Sequence, residues 1–458
     1  MCDVTCLIRC RQKRKDYKLI NNFFLQNKKL IIIIIKWLHI IIIKCCLDQY
    51  IKILTNKNEP NHFSKKLLVI LKTELQKLDL NSLKSRHKYS LVDDLRIGHS
   101  VVASLVTKNN QVLPEVIQFC SESKIEFKPV TLNIYQIPEA IVTYGSDIIR
   151  LNRGECYWYK TQHHFMYKTI PADKDMYCYD KKDKSVLLAK AKYGHKKLTK
   201  VVSLVGAQDF SWAHFVVECL PKLKILKKYF YNEKLTVLIP KLLDENCREI
   251  VEFIKSPDWD IYELDKDYSV VCEDLYYIDS TSWLTDHSET LIVGDTMLYE
   301  VALETLRDFV LNYQKLEIKP AQRSRRIYLR RDSTYRSLIN VSEVDALLEK
   351  YNFEVIYGHE LTLKLKSEIF YQAELIVGPG SSGFVNIMFC QKDTKIISFI
   401  NKNRVWDTYL PTLGHSFDLD FKYLLSNEEE DINDPHTSYS IDVLMLEKEI
   451  IRSLNLTE

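Results

Sequence analysis

The chain has 458 residues, 46% hydrophobic and 27% charged, which is ordinary for a globular protein of two or three domains with a sizeable core. Its net charge of +3 is unevenly held: residues 1–66 carry 14 Lys and Arg against 4 Asp and Glu, and the rest carries 50 against 57. A mildly acidic body argues against nucleic-acid binding, and the basic N-terminal segment suits contact with something anionic. Twelve cysteines include no Cys-x-x-Cys pair, so neither a zinc site nor a disulfide framework is indicated, and mostly reduced thiols are expected.

The first element in the chain is LIIIIIKWLHIIIIKCCL (30–47), as long as a short membrane span. Lys36 and Lys44 count against spanning, because each costs about 2.5–3.5 kcal/mol near the bilayer centre and each Ile returns only about 0.3–0.6. At about 100° per residue, Lys28, Lys29, Lys36, His39 and Lys44 share one side of a helix, with Ile, Leu and Trp37 around the rest. That pattern describes a basic amphipathic helix lying in an anionic membrane surface. The upstream RCRQKRK (9–15) strengthens the attraction. A signal anchor with its basic end in the cytoplasm is a second reading, and a leader that does neither is a third. No small-residue cleavage site of a secretory signal follows. Residues 1–60 are therefore expected to associate with a membrane, peripherally or as an N-terminal anchor. The surface is the cytoplasmic face in a bacterium or a secretory-pathway membrane in a eukaryote.

Residues 61–199 form a mixed region. Its first half mixes Lys-rich polar stretches with short apolar runs and carries no motif. VTLNIYQIPEAIVTYGSDIIRLNRGECYWY (130–159) is rich in β-branched and aromatic residues and reads as several short antiparallel strands. Residues 160–198 read as a loop-rich extension. From 200 the rhythm becomes α/β. KVVSLVGAQDFSWAHFVVECLPKLKILKKYF (200–230) is a buried strand, a polar turn and a helix. TVLIP (236–240) and LYYID (275–279) are strands that alternate with helices near 241–255 and 296–315. Alternation of this kind predicts parallel sheets.

A second α/β unit starts near 319. RRIYLRR (325–331) is a strand followed by the turn DSTYRS, and VSEVDALLEKYN (341–352) is a helix with Ser342 as its cap. FEVIYG is a strand, LTLKLKSEIFYQA a helix, ELIVG (374–378) a strand, SGFVNIMFC (382–390) a helix and TKIISFI (394–400) a strand. The domains expected are 200–318, 319–424 and a tail of 425–458, in which EEEDIND (428–434) is a solvated acidic loop.

Three constellations are able to carry chemistry. In DFSWAHFVVECLP (209–221), His214 and Glu218 share a helix face, as a base and its orienting partner do, with Asp209 just ahead. An interior His satisfied by its neighbour gives the same pattern. In RSRRIYLRRDSTYRSLIN (323–340), six Arg cluster at a strand end, where ligands of open α/β sheets bind, and Arg matches phosphate geometry. Arg330, Arg331 and Arg336 fall in that turn, and a solvated basic surface is the plain alternative. In ELIVGPGSSGFVNIMFC (374–390), Gly378, Gly380, Ser381, Ser382 and Gly383 join a strand to a helix start, allowing close backbone approach and favouring an anion. The stretch is neither a P-loop nor a dinucleotide fingerprint.

In order and spacing, these features resemble glycosyltransferase family 61 over roughly residues 130–420. The landmarks are His214-Phe-Val-Val-Glu218-Cys-Leu-Pro221, Arg326-Ile-Tyr328-Leu-Arg330-Arg331, Arg336-Ser-Leu-Ile-Asn340 and Gly378-Pro-Gly-Ser-Ser-Gly383-Phe-Val-Asn386. The resemblance implies two Rossmann-like lobes of the GT-B kind, preceded by the β-rich segment and the amphipathic helix. It implies inverting transfer of a sugar from a nucleotide-sugar donor to a glycan or glycoconjugate hydroxyl, with no cofactor and no obligatory metal. His214 or Glu218 supplies the base in this reading, with Asp209 behind. Arg330, Arg331, Arg336, the Gly378–Gly383 turn and Asn386 hold the donor. The partners are then donor, acceptor and a membrane surface, with no nucleic acid. Two positions depart from the family pattern. Gly380-Ser381 stands where His-Gly is frequent, and Leu365-Lys366 stands where Glu-Gln is frequent. An inactive, membrane-bound relative that only binds is the alternative reading, and an unrelated α/β nucleotide-binding enzyme is a third.

Overall fold

The structure is a computed structural model. It describes residues 86–456, apart from 93–94, 96–99, 109, 114, 118–122, 127, 152–153, 159–175, 181–183, 210, 285–295, 332–335, 406 and 428–436. Residues His87–Glu458 make one compact unit. The expected amphipathic helix at 30–47 and the acidic loop at 428–434 lie outside the described residues. Among the described residues no helix is long and apolar enough to cross a membrane.

The first sheet is built on Val130–Thr143 (β1), Tyr193–Ser203 (β2), Thr236–Pro240 (β3), Asp260–Leu264 (β4) and Ser269–Ile278 (β5). Their spatial order is β4-β3-β2-β5-β1. The first four are parallel, and β1 runs antiparallel to β5. The apolar runs Val-Leu-Ile of β3 and Val-Val of β2 have no polar alternation because helices cover both faces of a parallel sheet. The helices between the strands are Leu220–Phe230 (α1) and Glu245–Ile254 (α2), the latter capped by Asp244, which accepts the Asn246 N–H at 2.9 Å.

Two expectations are corrected here. The region 130–159 opens with the single 14-residue β1 rather than a short strand, and the short antiparallel strands expected there are Ile149–Arg150 and Glu155–Tyr157. The stretch 160–198 is not merely a loop: Met176–Asp180, Ser185–Ala189 and the start of β2 extend the same sheet, and β2 runs straight across position 200.

Glu300–Glu317 (α3) leads to the second sheet. Its strands are Arg325–Leu329 (β6), Glu354–Ile356 (β7), Ala373–Pro379 (β8), Lys395–Ile400 (β9) and Asp420–Leu425 (β10). They are parallel in the order β7-β6-β8-β9-β10, and Glu115–Val116 adds a short parallel strand outside β10. Val341–Lys350 (α4), Leu363–Tyr371 (α5), Tyr409–Ser416 (α6) and Val443–Ser453 (α7) complete the layers. The cap of α4 is Asn340, not Ser342, which sits inside the first turn. The expected helix after β8 is a 3-10 helix, Ser382–Phe389.

One apolar core joins both sheets: Val202 and Val237 of the first share it with Ile327, Ile376 and Ile396 of the second. Helix α3 is the shared wall. Its Phe309 and Tyr313 meet Phe253 of α2, and Tyr313 also meets Phe389, with ring centroids 5.3–6.5 Å apart. Its Gln314 Nε2 donates to Phe389 O at 2.7 Å. Each sheet also has a point where strand order reverses, between β2 and β5 in the first and between β6 and β8 in the second. Loops at such points leave a crevice beyond the strand ends, and that is where ligands bind in open α/β sheets.

Candidate functional site

The loops at the two reversal points face one cleft of about 730 Å³. From the first sheet, the chain leaves β2 and enters a helix in three segments: Trp212–His214, a π turn at Phe215–Cys219, and α1. A π turn costs hydrogen-bond geometry and is frequent at functional sites. Trp212 and His214 line the cleft, while Phe215, Val216 and Val217 are buried in the core.

His214 Nδ1 lies 3.2 Å from Glu218 Oε2, and the second carboxylate oxygen of Glu218 accepts the Leu284 N–H at 2.7 Å. Glu218 does not line the cleft. Its carboxylate is held from two sides and can accept Nδ1–H, which leaves Nε2 of His214 as the basic atom. Asp209, expected behind the base, is buried, accepts the Gly206 N–H at 3.1 Å and does not line the cleft. Cys219 does not line the cleft, and burial pushes its thiol up to about 12, away from the thiolate that a nucleophile needs.

From the second sheet come the strand ends. The six arginines divide by what surrounds them. Arg325 Nε binds Glu354 at 3.0 Å, Arg326 Nε binds Glu374 at 2.8 Å, and Arg323 donates to the Lys392 carbonyl at 2.7 Å. These hold the sheet and do not line the cleft. Arg330 lines it but is paired with Asp345 at 2.8 Å. Arg331 and Arg336 line it too. Arg331 Nη1 stands 3.4 Å from Gly380 O, and Arg336 adopts φ +54°, an uncommon conformation for a residue with a Cβ. Asn340, the last landmark of that segment, instead donates to Ile441 O at 2.9 Å and accepts the Ile441 N–H at 3.2 Å, tying down the C-terminal segment.

The glycine-rich turn has two parts. Gly378 has φ +153°, and a Cβ there would lie 2.3 Å from the Leu329 carbonyl oxygen. Its bareness lets β8 pass β6 at the reversal point, and it does not line the cleft. Gly380, Ser381, Ser382 and Gly383 do line it. Asn386 is fully buried, and its Oδ1 accepts Trp212 Nε1–H at 3.0 Å, fixing the indole across the two sheets.

The sequence reading did not single out several lining residues: Trp212, Asp244, His359, Arg404, Asp407 and Tyr439. Lys366 stands out in the sequence only as a departure from the family pattern. Arg404 Nη2 binds Asp407 at 2.7 Å. Lys366 is 3% exposed, with its ammonium 4.1 Å from the Trp212 ring centroid. Lining cations are Arg330, Arg331, Arg336, Lys366 and Arg404, against the carboxylates Asp244 and Asp407, so the cleft favours an anion. Among the described residues no three His, Cys, Asp or Glu side chains cluster as metal ligands.

A comparison with family models matches residues 212–397 to the family described as Glycosyltransferase 61. The match begins at Trp212 and ends within β9, so it spans both strand-reversal loops. No curated protein matches the chain.

Proposed function

Through residues 212–397 the chain belongs to glycosyltransferase family 61, and from that premise we propose that it transfers a sugar from a nucleotide-sugar donor to a hydroxyl of a glycan or glycoconjugate, with inversion. One observation carries the proposal. His214 from the first sheet and Arg331, Arg336 and the Gly380–Gly383 turn from the second line the same cleft.

Inverting transfer is a single displacement and asks for one base and one charge sink. His214 Nε2 takes the acceptor proton, while Glu218 holds the ring and balances the imidazolium that forms. The acceptor oxygen attacks the anomeric carbon as the bond to the nucleoside diphosphate breaks. Arg331 and Arg336, with the N–H groups at the start of the 3-10 helix, take up the charge on the leaving diphosphate. In this reading these cations serve without an obligatory metal. The two sheets act as the acceptor-side and donor-side lobes of a GT-B-like enzyme. The basic segment 1–60 places the protein at a membrane surface.

A panel of nucleotide sugars tests this. At least one donor is expected to raise the Tm and to be consumed with an acceptor hydroxyl, giving product of inverted anomeric configuration. If no donor binds and none is consumed, the enzyme reading fails and the binding or scaffold alternative replaces it.

A further inference from the structure

Lys366 is a cation of the cleft that no carboxylate pairs with directly among the described residues. Arg330 pairs with Asp345, and Arg404 pairs with Asp407. Lys366 projects from α5 into the cleft with 3% of its surface exposed. Its ammonium rests over the Trp212 ring at 4.1 Å and makes no ion pair or side-chain hydrogen bond among the described residues. The carboxylate that also lines this side, Asp244, already accepts the Asn246 N–H as the cap of α2. A buried ammonium costs free energy unless an anion meets it, and an indole face meets it only in part.

The position says which anion. The forked guanidinium groups suited to a diphosphate sit at the ends of β6 and in the turn that follows it. Lys366 is instead stacked on Trp212, which lines the cleft together with the proposed base His214, so Lys366 stands against the segment that supplies the base rather than in the arginine turn. A single compact ammonium suits a single carboxylate. Asp244 nearby suits a sugar hydroxyl as donor.

We propose that the cleft selects a hexuronate-type acidic sugar, with its carboxylate on the Lys366 ammonium. The sugar belongs to the donor or to the acceptor terminus. This inference rests on the glycosyltransferase reading above and adds the substrate class.

The full-length protein is titrated calorimetrically with UDP and GDP, then with two matched pairs: UDP-glucuronate against UDP-glucose, and GDP-mannuronate against GDP-mannose. In a second arm, a hexuronate-terminated oligosaccharide and its carboxyl-reduced counterpart are titrated in the presence of the nucleotide that binds. Preference for the uronate by tenfold or more is expected in one arm, and the arm that shows it identifies the source of the carboxylate. K366M is expected to bring that ratio to about one, and K366R to keep most of it. Because the readout is a ratio within each protein, partial loss of folded K366M does not disturb it. If a nucleotide binds but both arms give ratios near one, the acidic-sugar inference is overturned and the glycosyltransferase reading stands. If the wild-type preference survives in K366M, Lys366 is not its origin. If no nucleotide binds, both readings fall.

Discussion

His214 Nδ1 and Glu218 Oε2 stand 3.2 Å apart, and the same carboxylate takes the Leu284 N–H through its other oxygen. Glu218 is thus fixed by backbone from beyond β5 and fixes the imidazole in turn. His214→Ala is expected to lower kcat by about 10²–10⁴-fold with donor affinity nearly unchanged. Glu218→Gln keeps an oxygen for Leu284 but offers an amide to Nδ1, which favours the wrong tautomer. It should lower kcat by about 10²-fold or more while KM changes little. Steady-state kinetics with a chosen donor checks both, and normal turnover in His214→Ala would move the base elsewhere.

Arg330 and Arg331 are adjacent but face different partners. Arg331→Ala removes a charged contact to the proposed diphosphate and should weaken donor binding about 10–100-fold. Arg330→Ala breaks a partly exposed pair with Asp345 and should cost about 1 kcal/mol of stability or less. Calorimetric binding and thermal unfolding of the two variants separate the roles. Equal donor affinity in wild type and Arg331→Ala would refute the phosphate role.

Two glycines of one turn are expected to answer differently. Gly378→Ala drives a Cβ to 2.3 Å from the Leu329 carbonyl at φ +153°, so it should destabilise the fold by about 2 kcal/mol or more. Gly380→Ala meets Ser398 Oγ at 3.2 Å, a hydroxyl that can turn aside, and the Phe399 carbonyl oxygen at 3.4 Å, an ordinary van der Waals distance. Its effect should fall mainly on donor affinity. Thermal unfolding of the pair checks this, and equal melting temperatures would contradict it.

Burial holds the Lys366 ammonium below its ordinary value of 10.5, with Asp244 pulling the other way. The folded protein then binds this proton less tightly than the unfolded chain. At neutral pH the burial therefore destabilises the fold, and the cost fades as pH rises through the lowered value toward 10.5. K366M should melt higher than wild type at pH 7, by about 2 °C per kcal/mol relieved, and the gap should narrow at alkaline pH. Uronate preference should decline over the same alkaline range. Melting curves and binding ratios from pH 7 to 10 test both, and a lower Tm for K366M at pH 7 would contradict the uncompensated charge.

Removal of residues 1–60 should shift the protein from the membrane to the soluble fraction while donor binding persists. A truncated protein that still sediments with anionic vesicles would place the membrane contact elsewhere.

The sequence by itself determined whatever depends on near neighbours. The four-residue spacing of His214 and Glu218 sets one above the other on a helix, and apolar runs between polar turns set the parallel strands of both sheets. The order of four short motifs gave the resemblance to glycosyltransferase family 61. Tertiary structure decided which of those residues face the ligand. Arg325, Arg326 and Arg330 look like Arg331 in the text, but acids from other segments occupy them, and those acids are brought close only by strand pairing. Gly378 looks like Gly380, and only the passage of Leu329 shows that one serves packing and the other the cleft. Lys366 stands on a helix where sequence pattern reads a lysine as solvated. Its burial depends on Trp212, which reaches it from the other sheet and is held there by Asn386. Local spacing fixes what a residue can be, while its electrostatic environment is set by chain-distant groups that only the packed core assembles.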